Sequence, residues 1–289
     1  MNPVDFITQT LRIAVPYLFA TAGGVLAERA GIISLTLEGF MLSGAFSATL
    51  GTYYSGSPWI GLLCGVLGGL VFGLIHSVAT IRYRADQVVV GIAINLLAIG
   101  ATRFFLQLAF ESSSNSPRIE GFAASASARG FDNPLLWVGL LSAPILAFFL
   151  YKTPFGLRVR AVGEHPGAAE SVGVNVTRIR YIAVAVSGMV AALGGVFLAL
   201  DQHQFTDQMT AGRGFIAVAA VIFGRWDPAR AALACLLFAA AETLQIQLQG
   251  TQLIASQFIS MIPYLLTIIA LAGVVGRAVP PAALGKTGD

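Results

Sequence analysis

The side chains most able to do chemistry are polar residues placed inside apolar runs. Glu38 stands in Ser34-Leu35-Thr36-Leu37-Glu38-Gly39, and Asn95 in Val90-Gly91-Ile92-Ala93-Ile94-Asn95. Glu242 opens a polar series continued by Gln245, Gln247 and Gln249. Gln87 precedes Asn95 by two helical turns, which puts both on roughly one face. A carboxylate or carboxamide in apolar surroundings is costly unless protein or water satisfies it. Two readings follow. Each residue alone fits an interhelical hydrogen bond or a helix-end carboxylate. Together, Glu38, Gln87, Asn95 and Glu242 fit a pathway that holds the hydroxyls and amides of a small polar solute.

Catalysis finds less support. His76, His165 and His203 lie in different segments, none with a carboxylate or cysteine at metal-ligand spacing. Gly285-Lys286-Thr287 has the tail of a phosphate-binding loop, but its leading glycine position is Pro280 and no strand precedes it. If transport by this chain consumes ATP, another subunit must bind it. Cys64 and Cys235 each sit inside an apolar run and read as packing residues.

Composition says what must position these residues. Of 289 residues, 56% are hydrophobic and only 11% charged, with mean hydropathy +0.78. Soluble domains carry about a quarter charged residues, so the chain belongs to the membrane class. Its net charge of +3 does not point to nucleic acid, because the basic residues sit between apolar segments. Apolar stretches run over 8–27, 35–53, 58–81, 86–110, 134–151, 177–200, 213–225, 229–248 and 258–276. The expectation is an all-α, polytopic transmembrane helical bundle of about eight to ten helices, forming one domain over 1–289 within membrane lipid. Stretch 213–225 is too short to cross comfortably and opens with Gly212-Arg213-Gly214, so a broken or re-entrant helix is expected there. Met1 to Thr10 carries Asp5 and no Lys or Arg, so the first apolar run is expected to remain as a helix rather than act as a cleaved signal.

Loop charges orient the bundle. Nine alternating crossings put 12 of the 17 basic residues at one end, including Arg29, Arg84, Lys152, Arg180, Arg225 and Lys286. By the positive-inside rule that end is cytoplasmic. The N-terminus then lies outside and the C-terminus inside. The Ser-, Ala- and Gly-rich stretch 111–133 becomes an external loop, expected to be mobile. Everything beyond 213–225 depends on that segment crossing. In the third stretch Gly61, Gly65, Gly69 and Gly73 recur every four residues, a stripe for close helix contact. Glu38 and Glu242 in opposite halves hint at two related halves.

The cytoplasmic stretch 152–180 is too long for a turn. Glu164 to Val172 carries helix signals, with Pro166 in the first turn and Gly173 as its stop. Ala168 and Ala169 would give that helix a smooth face suited to a partner's groove, against the plainer reading of a solvated loop.

Four motifs then carry a family resemblance. They are Glu28-Arg29-Ala30-Gly31 running to Leu37-Glu38-Gly39, and Ala85-Asp86-Gln87-Val88-Val89 with Gly91-Ile92-Ala93-Ile94-Asn95-Leu96. Thr153-Pro154-Phe155-Gly156-Leu157-Arg158 through Gly163-Glu164-His165-Pro166 to Ala168-Ala169 is the third, and Ala211-Gly212-Arg213-Gly214-Phe215-Ile216-Ala217 with Ile222-Phe223-Gly224-Arg225-Trp226 the fourth. The chain resembles the permeases of bacterial ABC importers of the branched-chain amino acid and simple-sugar class, in its nucleoside-type branch. Permeases for simple sugars, autoinducer or branched-chain amino acids are the alternative, and a stand-alone secondary carrier a more distant one. The resemblance implies a type II-like importer permease in the bacterial inner membrane. It also implies a separate ABC ATPase that holds ATP and Mg, a second homologous permease, an extracytoplasmic substrate-binding protein, and no cofactor on this chain. Gly163, Glu164, His165, Pro166, Ala168, Ala169 and Gly173 would form the coupling helix that docks on the ATPase.

Overall fold

The computed structural model describes residues 3–122, 133–249 and 279–286. Ten α-helices occur among them: α1 Pro3–Arg29, α2 Leu37–Ser55, α3 Pro58–Ser77, α4 Gln87–Phe110, α5 Pro134–Lys152, α6 Pro154–Glu164, α7 Pro166–Ser171, α8 Val176–Gln202, α9 Arg213–Phe223 and α10 Pro228–Gln249. A π-helical turn, Val78–Arg82, extends α3. The described residues contain no β-strand, only an isolated bridge between Asn115 and Thr206.

Among the described residues, six helices are long and apolar enough to cross a membrane: α1, α3 with its π turn, α4, α5, α8 and α10. Burial sorts them. The most apolar window of α1 is 78% buried and that of α8 67%, against 28% for α3 and for α4. Helices α1, α2 and α8 therefore form the centre, and α3, α4, α5 and α10 wrap it. Eight of the nine expected apolar stretches coincide with α1, α2, α3, α4, α5, α8, α9 and α10 to within a few residues; 258–276 lies outside the described residues.

Helix α3 shows how composition sets the layering. Gly61, Gly65, Gly69 and Gly73 are its buried stripe. A Cβ on Gly69 would lie 2.4 Å from the Gly188 carbonyl oxygen of α8, and one on Gly61 would lie 2.8 Å from the Ala48 carbonyl oxygen of α2. The backbones touch where side chains would hold them apart. The opposite face, with Leu63, Leu67, Val71 and Leu74, is exposed, as a lipid-facing surface requires.

The basic residues gather at one end. Arg29 Nε donates to the Trp226 carbonyl (2.7 Å), Tyr151 OH to Asp227 Oδ2 (2.9 Å) and Arg180 Nε to the Ala30 carbonyl (3.3 Å). Ala283 N donates to the Gly163 carbonyl at 2.9 Å, bringing 279–286 to the same end.

The stretch expected to be a broken or re-entrant helix is an extended piece followed by a short helix. Chain 203–212 descends without helix from the far end of α8, and α9 covers the remaining distance to the basic end. The upper part of 203–212 is held by the loop after α4. Ser116 N donates to the Phe205 carbonyl (2.8 Å), Ile119 N to the His203 carbonyl (2.9 Å) and Asp207 N to the Ser114 carbonyl (2.8 Å). The described part of the 111–133 loop is tied to 203–207 by these backbone hydrogen bonds. Stretch 152–180 also differs from a loop with one helix. Thr153 Oγ1 accepts from Gly156 N and caps α6, and Pro154 takes the first helical position. The helix expected over Glu164–Val172 is α7, Pro166–Ser171, and Gly173 ends it with φ +84°.

Candidate functional site: two interrupted crossings and the coupling corner

Helix α1 ends at Arg29, and 30–36 continues without helix until α2 begins at Leu37. Backbone groups left free by the missing helix must be satisfied inside the protein. Side chains of α1 and α4 do this. Gln87 Oε1 accepts from Ile33 N (2.7 Å), Glu28 Oε1 from Ser34 N (3.2 Å), and Asn95 Oδ1 from Gly39 N (2.8 Å), while Asn95 Nδ2 donates to the Leu35 carbonyl (2.8 Å). The eight steps from Gln87 to Asn95 span about 12 Å of helix, so α4 acts as a rail along which the interrupted segment is fixed.

The second interruption meets the first at Glu38. This carboxylate, 7% exposed, receives Thr210 Oγ1 (2.6 Å) and Gly212 N (2.8 Å) on Oε1, and Gly214 N (2.7 Å) on Oε2. The first N–H groups of a helix have no partner within it and carry partial positive charge. Glu38 supplies both the acceptor and the opposite charge for α9. The next residue, Arg213, donates through Nη2 to Glu242 Oε1 at 2.9 Å, and Tyr17 OH also donates to Glu242. Glu38 and Glu242 are therefore brought to consecutive residues of one half-helix. At its other end, Trp226 Nε1 donates to Glu28 Oε2 at 2.5 Å, and Glu28 is 3% exposed. Helix α9 is tied at both ends to the α1–α2 break.

All four polar residues singled out from the sequence belong to this framework. The pairings of Glu38, Asn95 and Glu242 lie within the chain, and one donor of Gln87, Nε2, is left without a partner. Sequence reasoning gave no role to Glu28, Trp226, Thr210, Tyr17 or Arg213. Glu28 and Trp226 stand at the ends of quoted motifs, and that position was the available signal. Among the described residues, no three His, Cys, Asp or Glu side chains come together as a metal site.

The α6–α7 corner sits at the basic end. Gly163 and Ala169 face inward: a Cβ on Gly163 would lie 2.0 Å from the Arg29 carbonyl oxygen, and Ala169 is 3% exposed beside Val159 and Val162. Glu164, His165, Gly167, Ala168, Ser171, Val172 and Gly173 are exposed, and Pro166 is half-buried. The surface available to a partner is thus the Gly167, Ala168, Ser171, Val172 side, with Val172 77% exposed.

A bundle of apolar helices with two breaks and a small helical corner at its basic end is an arrangement suited to a membrane protein. The known proteins agree. Residues 6–271 match the family described as branched-chain amino acid transport system / permease component. The chain is 40% identical to the guanosine ABC transporter permease protein NupQ of Bacillus subtilis, over 96% of this chain and 94% of that one. It is 36% identical to the nucleoside ABC transporter permease protein NupC of Lactococcus lactis, over 99% and 97%. A solved ABC transporter described as being of the metal-chelate type, in an inward-facing conformation, shares the fold with TM-score 0.55 at 14% identity, over 92% of this chain and 85% of that one. The chain belongs to the branched-chain amino acid transport system permease family, and it is a multi-pass membrane protein.

Proposed function

We propose that the chain is the membrane-spanning subunit of an ABC importer that moves nucleosides across the bacterial inner membrane. The observation that carries this reading is its 40% identity, over nearly the whole length, to a guanosine permease. The basic end is then cytoplasmic. There the α6–α7 corner meets an ABC ATPase, which holds ATP and Mg. A second, similar permease completes the pathway, and an extracytoplasmic binding protein delivers the solute. This chain itself carries transport and no catalytic step.

Glu164, His165, Pro166, Ala168 and Gly173 belong to the docking surface, while Gly163 and Ala169 hold that surface against α1 and α6. Glu38, Gln87, Asn95 and Glu242 set the shape of the pathway beside the two interrupted crossings. ATP binding moves one crossing against the other, and α9, tied at both ends, transmits the motion to the α1–α2 break. Uptake of labelled guanosine, adenosine and uridine by proteoliposomes holding the whole complex tests this reading. ATP-dependent nucleoside uptake is expected, and uptake confined to sugars or amino acids would remove the nucleoside assignment.

A further inference from the structure

One side of the molecule carries polar groups at a level where lipid would not tolerate them. Arg103 lies sixteen steps along α4 from Gln87 and seven short of Phe110, so about 24 Å from the basic end of the helix and about 10 Å from the other. Hydrocarbon is about 30 Å thick, so a centred α4 holds Arg103 inside it. Its side chain is nonetheless 58% exposed. The guanidinium does not reach along the helix toward the headgroups. Nε (3.1 Å) and Nη2 (2.5 Å) both donate sideways to Asp207 Oδ2.

From Asp207 the chain runs without helix to Gly212, whose N–H meets Glu38, next to Gly39 and Asn95. Asn95 stands about 12 Å along α4, so 207–212 occupies levels between about 12 and 24 Å, beside the middle of that helix. Gln208 and Ala211 are exposed there. Non-helical backbone open to lipid does not occur at such depth; it is tolerated against protein or water. One turn beyond Ala211, Phe215 is 49% exposed and continues the same side toward the basic end. On the neighbouring flank of α9 the Arg213 and Glu242 side chains, paired at 2.9 Å, are each 21% exposed. The open face of α3 is different, with Leu63, Leu67, Val71 and Leu74 in a row.

We propose that Arg103, Gln208, Ala211 and Phe215 form the wall of a water-filled pathway along which the nucleoside passes, an inference that rests on the importer reading above. Asp207 holds the Arg103 guanidinium against this wall. The Arg103 guanidinium and the Gln208 carboxamide suit the hydroxyls and ring-edge groups of a nucleoside, and Phe215 offers an aromatic face to its base. Water is the resting occupant. A protein surface laid over this side would have to pair each exposed polar group individually, whereas water satisfies them all. Glu38 and Asn95, whose bonds go to backbone, shape the wall from behind.

The test reads water access separately from solute. In the whole complex, reconstituted in proteoliposomes with Cys64 and Cys235 replaced by alanine, Gln208→Cys, Ala211→Cys and Phe215→Cys are each compared with Val71→Cys on the open face of α3. A charged methanethiosulfonate is present on both sides of the membrane, with and without ATP. The thiolate is the reacting form and needs water, so the three wall positions should be labelled at least about tenfold faster than Val71→Cys. Guanosine, supplied with the binding protein, should slow labelling of Gln208→Cys and Phe215→Cys severalfold. Fast labelling slowed by a sugar or an amino acid instead of guanosine keeps the pathway and removes the nucleoside reading. Fast labelling that no solute alters overturns the claim that solute passes here. Rates as slow as that of Val71→Cys overturn the water-filled wall. Labelling seen in the isolated permease but lost in the complex, with and without ATP, overturns it too, and makes this side a seam with the second permease.

Discussion

At the scale of single residues, the main result is that membrane-embedded polar groups here hold backbone. Asn95 shows the economy of a carboxamide: one oxygen takes Gly39 N and one nitrogen reaches the Leu35 carbonyl, bridging an interrupted strand of chain on both sides of α2's start. Replacing Asn95 by Asp keeps the acceptor and removes the donor, whereas Leu removes both. Each backbone group orphaned in a buried place costs about 1–3 kcal/mol. Asn95→Asp should therefore lower the unfolding midpoint less than Asn95→Leu, and equal losses would contradict the bridging role. Glu38 makes a stronger case, because three donors converge on its carboxylate. Glu38→Ala leaves the start of α9 uncapped and should cost about 3 kcal/mol or more, with Glu38→Gln intermediate because it keeps one oxygen. Thermal unfolding of the purified complex measures both.

At the scale of elements, α3 and α7 show two uses of small residues that look alike in sequence. The glycine stripe of α3 was legible because four glycines recur at a spacing of four, and the structure places it against α2 and α8. Gly69→Val should impair folded yield by on the order of 1–3 kcal/mol of overpacking, while Leu67→Ala on the exposed face should be nearly silent. Ala169 and Ala168 are adjacent, yet one is buried in the chain's own core and the other is exposed. A six-residue helix has too few positions for periodicity to reveal its inner face, so sequence alone could not separate them. The structure moves the informative substitutions. A Cβ on Gly167 meets nothing within 4 Å. Gly167→Trp or Val172→Asp should leave the permease folded and reduce substrate-stimulated ATP hydrolysis severalfold. Gly163→Leu should instead lower folded yield, because it drives into the Arg29 carbonyl. Wild-type coupling in both surface variants would dismiss α7 as the docking element.

At the scale of the whole molecule, hydropathy was enough for the long helices but not for their layering or their joints. Long apolar runs announce helices because each must bury or solvate its side chains in hydrocarbon. Which polar residue closes which break depends on partners far apart in sequence, such as Glu38 and Gly212, and no local pattern records them. The short α6 was equally hidden, since its mixture of Arg158, Arg160 and Glu164 with apolar residues resembles a solvated loop. Orientation at the two ends is a testable quantity, and one reagent experiment addresses both. With Cys64 and Cys235 replaced by alanine, a single cysteine at Ser171 should react with a membrane-impermeant maleimide only after the inner face is opened. A single cysteine at Ser113 should react in intact cells, because Ser113 lies in the loop at the opposite end of α4 from the basic cluster. If Ser171→Cys is labelled in intact cells, the basic end faces outward and no cytoplasmic ATPase can reach the α6–α7 corner. The docking proposal then fails even if nucleosides are transported.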